Sequence, residues 1–158
     1  MAKNKFPIYL ISVLLFMFIL PVVSISVELF LHKSLLSWLL IGKWFVFWSI
    51  GVRLFIAGIR QALKPEFTAK EIFHIRGEES FVVIKELGFA NLSIGLMGML
   101  SLLKTEWCSV VAIGGGLFFG LAGILHVLKK PDSNNEIIAM ISDLFIFAVA
   151  LCYLFFSV

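Results

Sequence analysis

The residues predict an all-α integral membrane protein of five transmembrane helices. Two observations carry that reading. Hydrophobic residues make up 61% of the 158-residue chain and charged residues 15%, against about 25% charged in soluble domains. A soluble chain this short cannot hide so much apolar surface, so lipid must cover it. The second observation is five apolar stretches, each near the roughly 20 residues that cross a bilayer: 6–31, 35–59, 81–103, 108–128 and 137–158. Seventeen Phe and four Pro fit helices rather than a barrel, whose strands alternate apolar and polar residues. Residues 1–158 read as a single transmembrane domain without a linker.

The first stretch resembles a secretory signal in having Lys3 and Lys5 ahead of an apolar run and small residues near Ser24 and Ser26. Its apolar run exceeds the roughly 7–15 residues of a signal core, so it reads as a span, kinked at Pro21. Between spans two and three, Pro65 precedes Thr68-Ala69-Lys70-Glu71, which fits a capping box. Residues 68–76 read either as a short helix on the membrane surface or as a lead-in to the third span.

Lys and Arg set the topology. With the N-terminus inside, Lys3, Lys5, Arg60, Lys64, Lys70, Arg76, Lys129 and Lys130 fall on the inner side, and Lys33 and Lys104 on the outer. This asymmetry places the N-terminus in the cytoplasm and the C-terminus outside, in a bacterial inner membrane. Trp38 and Trp107 then lie at the outer interface. The net charge of +3 follows from topology and calls for no nucleic acid. Cys108 and Cys152 form no metal motif; they read as small apolar side chains, or as a disulfide if both reach the same outer face.

Charges inside a span are costly and are usually functional or paired. Arg53, Glu86 and Asp143 fall at a similar depth, roughly 8–9 Å from the inner ends of spans two, three and five at 1.5 Å per residue. A guanidinium between two carboxylates forms a natural cluster, able to relay protons or bind a small solute. The plainer reading is a buried ion pair that fixes helix register. His126 lies nearer the inner end of span four, and an imidazole is able to titrate near neutral pH; an ordinary interfacial histidine is the bland alternative. Lys85 reads as snorkelling to the headgroups. Near the outer end, Lys43 is expected to reach Glu28.

Gly88, Asn91, Gly95, Gly98 and Leu102 share one face of span three, where small residues let backbones approach and Asn91 is a ligand or interhelical hydrogen-bond donor. Gly116 and Gly120 form a GxxxG contact motif in span four. No Lys-Ser/Thr follows these glycines, which excludes a phosphate loop.

Arg53-Leu54-Phe55-Ile56-Ala57-Gly58-Ile59-Arg60-Gln61 with Pro65 resembles the Arg-containing helix and following proline of DoxX-like membrane proteins. Lys85-Glu86-Leu87-Gly88 with Gly95 and Gly98, and His126 ending a glycine-rich span, are similar to later helices of that family. Pro65, Thr68, Ala69 and Ile72, with Glu86, Gly88, Ala90 and Asn91, also resemble small uncharacterised bacterial four-span families. The resemblance covers about residues 44–157. It implies a four-helix bundle of spans two to five, with span one added, and a place in quinone-linked or thiol-related redox complexes. The chain has no CxxC and no haem-ligand pair, so redox chemistry of its own is not implied.

The expected function is binding or moving a small solute, proton or lipid-like molecule at an inner-leaflet site of Arg53, Glu86, Asn91, His126 and Asp143. The alternative is an anchor or assembly subunit of a larger membrane complex, with the glycine faces as seams. A membrane enzyme is the least supported class, since no nucleophile motif is present. No catalytic residue, metal ligand or particular cofactor is indicated. The bilayer is the one partner the composition requires; a homo-oligomer or other membrane subunits are compatible with it.

Overall fold

A computed structural model describes residues 6–33, 35–73, 75 and 77–157. Lys3, Lys5 and Arg76, placed above on the basic side, lie outside the described residues, as does the end of the 68–76 segment at residue 76. Among the described residues there are helices and no strands. Helix α1 comprises Phe6–Leu14, a π-helical stretch Leu15–Ile19, and Leu20–His32. Helix α2 comprises Trp38–Phe45, a π-helical stretch Val46–Val52, and Arg53–Leu63. A short α3, Pro65–Phe67, runs into a π turn at Thr68–Ile72. Helices α4 (Ser80–Leu100), α5 (Trp107–Lys129) and α6 (Asn134–Phe156) complete the chain. All but α3 are long and apolar enough to span a membrane, so this is a polytopic membrane protein. One end of the bundle carries Lys64, Lys70, Lys129 and Lys130 in or beside its connections and is called the basic end below.

Helix starts follow local chemistry. The Ser37 side chain accepts from the Leu40 amide to cap α2. Ser133 and Glu136 form a reciprocal capping box at α6. The box expected at Thr68 does not form: the helix opens earlier, at Pro65, with no side-chain cap, because proline is preset for the first helical position.

Glycine sets how closely the helices approach. A Cβ on Gly51 would lie 2.8 Å from the Gly98 backbone, and one on Gly58 2.6 Å from the Gly88 carbonyl oxygen. Gly95 meets the backbone at Phe55. Helices α2 and α4 therefore pack backbone to backbone. On α5, Gly116, Gly120 and Gly123 face Ala150, Phe147 and Leu144 of α6. Most of both glycine faces is thus occupied within the chain.

The α1–α2 contact is built differently. The Leu20 amide donates to the Leu15 carbonyl, a π-type register of five residues. In that register the Phe16 carbonyl would look to residue 21, which is proline and has no N–H. The buried Ser49 hydroxyl of α2 donates to it instead, at 3.2 Å. In hydrocarbon a carbonyl freed in this way needs such a donor. Two further rungs join the pair, from Trp48 Nε1 to Ser24 Oγ at 2.9 Å and between Lys43, Trp44 and Glu28.

The seam can be tested by adding volume. Gly98→Leu drives a side chain against the α2 backbone, where a Cβ alone would sit 2.6 Å from Gly51 Cα. It is expected to cost about 1–3 kcal/mol or more, since backbone cannot step aside. Gly114→Leu, at an exposed glycine with open space, is expected to leave the unfolding midpoint unchanged. Thermal unfolding of both variants in the same detergent checks the contrast.

Candidate functional site

Lys43 and Arg53 each form an ion pair in the bundle, and both cations come from α2. Arg53 and Lys43 are ten residues apart, so about 15 Å separates their levels along the helix.

At the first, Arg53 Nη2 is 3.6 Å from Asp143 Oδ1, with side chains 15% and 10% exposed. The guanidinium lies 5.2 Å from the centre of the Phe119 ring, a cation–π distance. Tyr9 of α1 lies within electrostatic range of both charges. Asp143 Oδ1 is buried without a hydrogen-bond partner. Three helices and the face of a ring from a fourth thus meet at one charge.

Glu86 does not join this group. It is exposed and forms no ion pair among the described residues. The cause is rotation and depth together. Two residues separate Glu86 from Gly88, which puts them about 200° apart on the helix, and Gly88 faces α2. Arg53 is ten residues from the end of α2 and Asp143 nine from the start of α6, roughly 14–15 Å along each helix. Glu86 is six residues from the start of α4, only about 9 Å along it.

Asn91 stands apart as well: its Nδ2 donates to Gln61 Oε1 at 2.7 Å, joining α4 to α2. His126 is half-buried near the last turn of α5, within electrostatic range of Glu136 and Lys129. The five expected site residues therefore resolve into one ion pair and three separate positions. Cys108 and Cys152 are free thiols.

The second ion pair borders open space. Lys43 Nζ donates to both oxygens of Glu28, at 2.9 and 2.8 Å, and Trp44 Nε1 donates to Oε2 at 2.7 Å. Beside it, at the end of the bundle opposite the basic end, lies a cavity of about 360 Å³. Glu28, Lys43, Ser37, Leu39 and Leu40 form one side; Ser101, Thr105, Cys108 and Tyr153 form the other, and Leu35 lies at the loop. Gly42 makes room for the Tyr153 ring, which a Cβ there would strike, and the Tyr153 hydroxyl pairs with Ser109 Oγ at 3.0 Å. The volume is within the range of small-molecule sites, about 300–1,000 Å³.

Sequence reasoning found the Glu28–Lys43 contact and missed both Tyr9 and the cavity. Between the cavity and Arg53, α2 and α6 leave a void of only about 10 Å³, lined by Gly42, Phe45, Val46, Ile50, Ile146, Val149, Ala150 and Tyr153. That is near the minimum for one water, and its apolar walls give a water few partners.

The chain belongs to the family of unknown function DUF6790, whose family model matches residues 11–158. No curated protein and no solved structure matches it.

The buried pair can be tested by a mutant cycle. Removing one partner strands a buried charge, so Arg53→Met and Asp143→Leu are each expected to destabilise by about 3–5 kcal/mol. The double variant is expected to recover most of that loss, because no charge is left unpaired. Unfolding of all four proteins in one detergent gives the coupling energy.

Proposed function

We propose that this protein binds a small solute or lipid-like molecule in the cavity beside Glu28 and Lys43. The observation that carries this reading is the cavity itself. It joins apolar walls from Leu35, Leu39 and Leu40 to polar groups from Lys43, Ser37, Thr105 and Tyr153. An apolar lining with a few placed polar groups is the composition of ligand sites. The Arg53–Asp143 pair acts instead as a structural anchor, since its two charges engage each other.

Binding is favoured over passage. A continuous route along α2 and α6 would have to widen the apolar constriction at Ile50 and Ile146. It would also have to break the Arg53–Asp143 pair. Lys64, Lys70, Lys129 and Lys130 orient the basic end to the cytoplasm by the positive-inside rule. The cavity then opens in the outer half of a bacterial inner membrane.

Native mass spectrometry after gentle extraction tests the reading. The expected result is a monomer or homo-oligomer carrying a defined small adduct. Thr105→Trp, which fills the cavity from an exposed position, is expected to remove that adduct and leave the protein's oligomeric state unchanged. Adduct-free protein, or an adduct indifferent to Thr105→Trp, contradicts it. Retention of a different protein chain would point to the assembly-subunit alternative.

A further inference from the structure

The polar groups around the cavity restrict what it can hold. Glu28 is already met by three N–H bonds, two from Lys43 and one from Trp44. An ammonium has three N–H donors, and Lys43 directs two at Glu28, so one remains. Lys43 is also the more open member of the pair, its side chain 36% exposed against 21% for Glu28.

The other polar lining groups are hydroxyls and a thiol, which can both donate and accept. Ser37 Oγ accepts from the Leu40 amide, leaving its hydroxyl hydrogen uncommitted. Thr105, an exposed residue, brings a further hydroxyl, and Cys108 brings a thiol. Ser101, by contrast, spends its hydrogen on the Gly98 carbonyl at 2.7 Å. The charge of the site is balanced, and Lys43 is the lining group that donates without being able to accept.

We infer that the cavity selects an uncharged, apolar-bodied molecule with a carbonyl-type oxygen, which accepts a hydrogen bond from Lys43. This rests on the binding reading above. A carboxylate or phosphate would meet the Glu28 charge as well as Lys43. A cationic amphiphile would meet Lys43 and find Glu28 taken. A neutral acceptor uses the spare N–H and leaves the ion pair intact, while its chain lies against Leu35, Leu39 and Leu40.

Cys108 reports occupancy, since it lines the cavity. In full-length Cys152→Ser protein in lipid nanodiscs, alkylation of Cys108 by N-ethylmaleimide is followed by intact mass. The probes are 2-undecanone, undecanoate at neutral pH and undecyltrimethylammonium, at equal bilayer mole fraction. Undecanone is expected to slow labelling about tenfold at ten times its Kd, by mass action, and the two charged probes to leave it nearly unchanged. Equal or better protection by either charged probe overturns the selectivity while leaving binding in place. Labelling that proceeds alike with every probe overturns binding itself.

A second readout does not depend on thiol reactivity. The infrared carbonyl band of 13C-labelled undecanone is expected to shift to lower frequency in the presence of the protein. That shift is expected to vanish in the Glu28→Leu/Lys43→Met double variant, which removes both charges together. A band that is unshifted, or shifted equally in both proteins, refutes the Lys43 hydrogen bond whether or not Cys108 reacts.

Discussion

Hydrocarbon does not solvate charge, and α2 carries two cations inside the bundle. That constraint organises much of the structure. Lys43 must find a carboxylate near one end and takes Glu28 from α1. Arg53 must find one about 15 Å further along and takes Asp143 from α6. Each pairing fixes a different neighbour against the same helix, in depth and in rotation. A largely buried pair such as Arg53–Asp143 adds little net stability over apolar packing, but breaking it is expensive, so it specifies which helices meet and in what register.

The remaining contacts of α2 use another currency. Against α4 it offers Gly51 and Gly58, and α4 answers with Gly88, Gly95 and Gly98. Close backbone approach and van der Waals packing are what hold apolar helices together in lipid. Against α1 the contact is polar, through Ser49, Trp48 and the Glu28 pair. Proline accounts for one of these rungs: Pro21 withholds an N–H from the carbonyl of Phe16, and Ser49 replaces it. The cavity lies where this tight packing ends. Beyond Lys43 the helices give way to the connections that carry Leu35, Ser37 and Thr105, and Tyr153 holds the wall through Gly42 and Ser109.

Much of this was legible in the residues. Five apolar stretches announce the helical membrane class, and the short connection between α1 and α2 sets Glu28 and Lys43 at similar distances from one turn. The capping signature Ser133-x-x-Glu136 is equally plain in the sequence. Arg53 and Asp143 also match in depth, once the true ends of α2 and α6 are known. Glu86 departs from the expected cluster through both rotation and depth: its two-residue offset from Gly88 turns it away from α2, and it lies nearer the basic end of its helix than Arg53 and Asp143 lie to that end of theirs. Tyr9 escaped notice because it lies three residues after Phe6, where headgroup level is the natural expectation; the offset of α1 against α2 is not written in periodicity. The cavity carries no motif at all. It arises from how two connections and the end of α6 meet, which is a tertiary fact.

Distances between spin labels at helix ends measure the central relation most directly. One pair of labels spans α1 and α2 at the cavity end; another spans α2 and α4. If charge pairing holds α1 and glycine packing holds α4, Glu28→Leu should lengthen and broaden the α1–α2 distance and leave α2–α4 unchanged. An α1–α2 distance indifferent to Glu28→Leu, or an equal broadening of both pairs, would contradict the division of roles along α2.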